Sequence, residues 1–165
     1  MKAVVVYESY WGNTASVARA IAEGLGPGAR AMSTADAKDE ALAGASLIVA
    51  GSPIIAFALP TEKSRSDLAA KPGKAPSPPD LSHPSMRSWL EALPKGSGRA
   101  AAFETGFKLS PSLAAHKILK MLEGRGYQPI AKKERFLVKG TYGPIREGEL
   151  DRAKAWGTEL LNLLK

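Results

Sequence analysis

The pattern that most constrains this chain is a repeated exchange between short apolar runs and longer stretches of helical period. Residues 2–7 read KAVVVY, a β-branched run bounded by polar residues, as a strand covered on both faces requires. Residues 14–25 follow with Val17, Ile21 and Leu25 four apart and alanines beside them, one face of a helix. Gly24, Gly26, Pro27 and Gly28 end that helix. The exchange then repeats with a weaker strand at 29–32, a short helix or turn at 38–43, and a buried strand at 46–50 (SLIVA) stopped by Gly51-Ser52-Pro53. After an interruption come a helix at 86–93, a strand at 99–104 (RAAAFE), and a helix at 112–126 opened by Ser110-Pro111. A fifth strand at 130–138 leads to a closing helix at 147–164, with Leu150, Ala153, Gly157, Leu160, Leu161 and Leu164 facing inward. Five strands alternating with helices imply a parallel sheet covered on both sides, because right-handed crossovers put helices on its faces.

The interruption is a Lys/Ser/Ala-rich stretch at 56–84, punctuated by Pro60, Pro72, Pro76, Pro78, Pro79 and Pro84, with room for a helical piece near 61–70. We read it as an insertion within one domain spanning 1–165, because neither flank alone carries a complete core and 165 residues suit one. No apolar run approaches the ~18 residues that cross a membrane, and the apolar start is too short for a signal peptide. Membrane insertion is therefore not expected, and a cytoplasmic location is the default expectation. The absence of cysteine excludes disulfides, thiolate metal sites, iron–sulfur ligation and a cysteine nucleophile, and two histidines do not suggest a zinc site. The net charge is +7, and it arises after residue 55, since acidic and basic side chains nearly cancel before that point. Such a bias attracts nucleic acid, an acidic protein or a phosphorylated ligand, or is simply a solvated basic surface. No nucleic-acid-binding motif accompanies it, so a nucleic-acid partner is not expected.

Ligands of an open parallel sheet bind beyond the carboxyl ends of its strands. The first strand runs into Glu8-Ser9-Tyr10-Trp11-Gly12-Asn13-Thr14, the third into Gly51-Ser52-Pro53-Ile54-Ile55-Ala56-Phe57, and the fourth into Glu104-Thr105-Gly106-Phe107-Lys108. The first loop sets hydroxyls (Ser9, Thr14), a glycine and an amide immediately before a helix, whose free N–H groups can hold a phosphate without lysine or arginine. The same residues also suit a plain helix cap with no ligand. Rival phosphate motifs fail on context. The Walker lysine is missing, and the GxGxxA match at Gly24 to Ala29 follows a helix instead of a strand. A response regulator would place an aspartate where Ser52 stands.

With these residues in view, the chain resembles the flavodoxin family. The opening KAVVVYESYWGNTASVARAIAEGL is similar to the family's strand, phosphate loop and first helix, and the tail GTYGPIREGELDRAKAWGTELL to the end of small bacterial flavodoxin-like proteins. The resemblance implies an α/β fold, a flavodoxin-like three-layer sandwich with a five-stranded parallel sheet in the order 2-1-3-4-5, and one bound FMN. By position, Ser9, Gly12, Asn13 and Thr14 would cradle the FMN phosphate, helped by the Tyr10 and Trp11 backbone amides. Ser52, Pro53, Ile54 and Ile55 would line one side of the isoalloxazine, and Thr105, Gly106 and Phe107 the other. Two features depart from the family pattern. Trp11 stands where flavodoxins usually carry Ser or Thr, an arrangement seen in flavodoxin-like quinone reductases. The sequence pI of about 9.7 also contrasts with their usual acidity.

Phe57, Phe107 and Trp11 are the aromatics placed to stack on a flavin ring, or else to pack the core or anchor a lid. Tyr142 reads as a turn residue, and His116 as a surface histidine on a basic helix face. His83, like His116, lacks a neighbouring acid at catalytic spacing. Glu8 and Glu104 end strands near the site, as loop-amide acceptors or as proton donors to a reduced flavin. No carboxylate pair or Ser/His/Asp arrangement supports hydrolysis, so no catalytic residue is assigned. Three functional readings follow: an FMN-binding electron carrier serving a redox partner protein or small acceptor, an FMN-dependent NAD(P)H:quinone-type oxidoreductase, and a flavin-free interaction module.

Overall fold

The structure is a computed structural model that describes residues 1–111 and 113–165. Its sheet is built from β1 (Ala3–Tyr7), β2 (Ala29–Ser33), β3 (Leu47–Pro53), β4 (Arg99–Gly106), β5 (Gln128–Pro129) and β6 (Glu134–Leu137). The strands run parallel in the order β2-β1-β3-β4-β5, and β6 also pairs with β4. β5 and β6 thus share the fifth position of the 2-1-3-4-5 sheet. The helices are α1 (Asn13–Leu25), α2 (Asp39–Leu42), α3 (Glu62–Ala70), α4 (Met86–Ala92), α5 (Ala114–Gly124) and α6 (Glu149–Asn162). Among the described residues, no helix is long and apolar enough to cross a membrane.

Alternation along the strands separates two cores. Val5, Leu47 and Val49 face α1 and α6 with Phe103, Phe136 and Trp156. Val4, Val6, Ile48 and Ala50 face α4 and α5 with Met86, Trp89, Leu90, Ile118 and Leu122. Successive side chains of a strand point to opposite faces, so a strand buried on both sides is apolar throughout.

Four elements differ from the sequence expectation. Gly51-Ser52-Pro53 extends β3 instead of stopping it, with Ser52 opposite Glu104 and Pro53 opposite Thr105. The Gly51 carbonyl accepts the Glu8 amide on the β1 side, and Pro53, two residues on, faces that same side beyond the end of β1. No ladder donor is needed there, so proline is tolerated. The strand expected at 130–138 is split: Ala100 pairs with Pro129 and still accepts the Ile130 amide, Phe103 pairs with Glu134, and residues 131–133 loop out between the two pieces. α5 starts at Ala114, later than expected, and ends at Gly124; Ser112, its expected first residue, lies outside the described residues.

α6 turns Ala153, Trp156, Gly157 and Leu160 inward, leaving Leu150 42% exposed, contrary to the expected inward face. Close contact with α1 sets that phase. A Cβ on Gly157 would lie 2.2 Å from the Ile21 carbonyl oxygen.

The candidate functional site

The ends of β1, β3, β4 and β6 converge on a cleft of about 260 Å³. This is just below the ~300–1,000 Å³ of typical small-molecule sites. Every residue predicted from sequence as a cofactor contact lines it except Gly12 and Ser52. Gly12 lies in the left-handed region (φ 92) and turns the chain into α1, while Ser52 is buried and its Oγ donates to the Pro53 carbonyl at 2.7 Å. Ala56, Leu68, Ser110, Val138 and Thr141 also line the cleft. Leu68 comes from α3 and the others from turns and strand ends, where no periodicity marks a wall.

At the head of α1, the Ser9 hydroxyl accepts the Gly12 amide at 3.1 Å, as the capping reading requires. One satisfied amide does not close the turn. The amides of Asn13, Thr14 and Ala15 have no hydrogen-bond partner among the described residues, and Gly12 as N-cap offers no side chain. These groups carry the partial positive charge of the helix end. The cleft lining contains no charged side chain, so no carboxylate competes for that anion position. The Thr14 and Thr105 hydroxyls, 2.8 Å apart, tie this loop to the end of β4.

The opposite walls are apolar. Ile55 and Ala58 exchange backbone bonds in both directions at 3.1 Å, forming a tight turn with Ala56 at φ 49 and Phe57 at φ 64. Such turns favour Asn-Gly, so two side-chain-bearing residues there are strained. The turn presents Phe57, 60% exposed, over the cleft, and Phe107 faces it 44% exposed. Trp11 packs edge-on against Tyr142 with ring centroids 4.8 Å apart. Tyr142 is therefore more than a turn residue: it buttresses the indole, a role that no spacing in the sequence signals.

Two buried carboxylates stand behind these walls and accept amides from the first turns of α4 and α5, not the loop amides expected from sequence. Glu8 accepts the Met86 amide at 3.0 Å and the Tyr10 hydroxyl at 2.8 Å, and Arg65 lies 3.8 Å away. Burial pushes the Glu8 carboxyl up from its ordinary value against these three stabilising partners. Burial, and then the neighbouring Glu8, push the Tyr10 phenol up as well. Glu104 accepts the Ala115 amide at 2.8 Å and pairs with Arg135 at 2.9 Å. Arg135 also donates to the carbonyls of Phe107 and Ser110, holding the β4 wall in shape. His83 is buried beside Ser9, whereas His116 is exposed as expected. Among the described residues, no group of three or more His, Cys, Asp or Glu could hold a metal.

No protein-family model matches the sequence, and no curated protein matches it. Solved structures do. A flavodoxin from the domain Archaea aligns over 99% of both chains with a TM-score of 0.68 and 22% identity. The chain has the flavodoxin fold. Oxidised flavodoxin 1 from Bacillus cereus aligns over 98% of each chain with a TM-score of 0.67 and 15% identity. A WrbA-like flavodoxin from Agrobacterium tumefaciens gives 0.56 and 21%, covering 99% of this chain and 96% of its own. Within this flavodoxin-like frame, the cleft occupies the carboxyl edge of the sheet, where ligands of such sheets sit.

Proposed function

We propose that this flavodoxin-like chain binds FMN and carries electrons to a partner protein or small acceptor. The observation that carries the reading is the row of unpartnered amides at the head of α1, opening onto an uncharged cleft with an aromatic on each wall. The donor set suits a phosphate: Asn13, Thr14 and Ala15 offer main-chain N–H groups, and Ser9 and Thr14 offer hydroxyls. Pro53 to Phe57 on one side and Thr105 to Phe107 on the other suit the flat isoalloxazine, with Phe57, Phe107 and Trp11 within stacking reach. When bound, FMN supplies one- and two-electron chemistry, and the protein supplies position, polarity and exclusion of water.

A net charge of +7 favours an acidic redox partner, through steering and complementary docking. The one-domain, cytoplasmic reading belongs to the same proposal. The aromatic Trp11 favours a second reading, an NAD(P)H-dependent quinone-type reductase. The cleft itself offers a dinucleotide phosphate no charged side chain, so the carrier reading stands first.

Titration of the flavin-free protein with FMN tests the proposal. Flavin fluorescence is expected to quench at micromolar concentration, and FMN at 100 times its Kd adds about 2.7 kcal/mol of stability, raising Tm. No quenching and an unmoved Tm favour the flavin-free interaction module. Mixing the loaded protein with NADPH separates the other two readings, since a carrier is not reduced quickly by the dinucleotide alone.

A further inference from the structure

The Pro-rich stretch does more than cover the sheet. Three of its residues reach the phosphate loop from one side. His83 Nε2 donates to the Ser9 carbonyl at 2.9 Å, the Asp80 amide donates to the Tyr10 carbonyl at 2.9 Å, and the Trp11 indole N–H donates to the Ser77 carbonyl at 3.0 Å. A carbonyl oxygen only accepts, so Nε2 carries the proton. His83 is itself fixed. It is 6% exposed, its ring stacks on Tyr10 with centroids 6.5 Å apart, and its carbonyl accepts from Arg65 at 2.6 Å.

These contacts determine where the loop's own donors point. The peptide units joining Ser9 to Tyr10 and Tyr10 to Trp11 are trans, and in a trans peptide the C=O and N–H point in opposite directions. With both carbonyls drawn toward residues 80–83, the Tyr10 and Trp11 amides turn away from that segment. Neither amide has a hydrogen-bond partner among the described residues. Trp11 lines the cleft, Tyr10 lies between the cleft and a depression behind the loop, and Asp80 and His83 line that depression alone.

We infer that the 77–83 segment is a brace that orients the Tyr10 and Trp11 amides toward a bound phosphate, with His83 as the positioning residue. Successive main-chain N–H groups facing one point form an anion nest, and here they extend the row begun by Asn13, Thr14 and Ala15. The indole of Trp11, where a flavodoxin usually offers a hydroxyl, instead bonds outward to the brace. The inference rests on the proposed FMN site and names what shapes its phosphate end.

The test compares FMN with riboflavin, which lacks the phosphate, by fluorescence titration of the wild-type chain, His83→Ala and His83→Gln. Removal of one orienting hydrogen bond is expected to weaken FMN binding about tenfold in His83→Ala. Riboflavin affinity should stay within twofold, and His83→Gln, which keeps an N–H donor, should regain most of the loss. Far-UV circular dichroism and flavin-free Tm show whether each variant is folded. An unchanged FMN affinity in folded His83→Ala, or an equal fall for both flavins, overturns the brace while leaving the FMN site standing. A wild-type chain that takes up no FMN overturns both.

Discussion

A single pair of residues shows how this site departs from a relaxed backbone. Ala56 and Phe57 both hold positive φ in the tight turn over the cleft, a conformation that costs side-chain-bearing residues about 1 kcal/mol or more each. The strain sets Phe57 above the opening, as expected of an element kept for a ligand. Ala56→Asn, which tolerates that region better, should raise stability by about 0.5–1 kcal/mol in urea unfolding and leave the Phe57 wall in place. At this scale the sequence was only partly legible. The turn into α1 could be read as a cleft wall because hydroxyl, glycine and amide groups sit together before a helix. Tyr142, His83 and Leu68 could not, because their roles depend on loops folding back over many residues.

At the scale of elements, the cleft walls depend on buried charge pairs between strands and loops. Arg135, on β6, holds Glu104 and the carbonyls of the loop after β4. Arg135→Met should destabilise the fold by about 3 kcal/mol in chemical denaturation, because it leaves a fully buried carboxylate with less compensation. Glu149, at the start of α6, accepts the Leu137 amide at 2.6 Å and pairs with Arg152 at 2.8 Å. Burial alone would raise its carboxyl, but these partners outweigh it and hold the group below its ordinary value of 4.5. Its stabilisation is therefore complete above that value and is lost as pH falls through the folded-state value. Glu149→Gln should accordingly flatten the acid limb of a Tm-versus-pH curve. Glu8 has the opposite sign: its raised carboxyl favours the fold most when protonated, and that contribution is lost as pH rises. Strand order was implied by the resemblance to the flavodoxin family, and helix faces were legible from periodicity. The continuation of β3 through Pro53 was not, since it depends on where β1 happens to end. The inward face of α6 was legible at Ala153, Gly157 and Leu160 and failed at Leu150, which the close contact with α1 leaves half exposed.

Across the whole molecule, the parallel sheet brings three distant loops to one edge, and the long stretch between β3 and β4 wraps behind the first of them. The three loops were legible because alternation implies a parallel sheet whose ligands sit beyond the carboxyl ends of its strands, and the sheet order was implied by the resemblance to the flavodoxin family. The Pro-rich stretch reads as an insertion because neither flank alone carries a complete core. The proposed function has an anion held by uncharged main-chain donors at the head of α1, with a flat ring between apolar walls. Amide-resolved ¹H–¹⁵N NMR during an FMN titration tests this most directly. The account predicts large shifts for the amides of Tyr10, Trp11, Asn13, Thr14 and Ala15, with riboflavin moving them far less. FMN that leaves those five amides unmoved, or moves riboflavin's set equally, would contradict it.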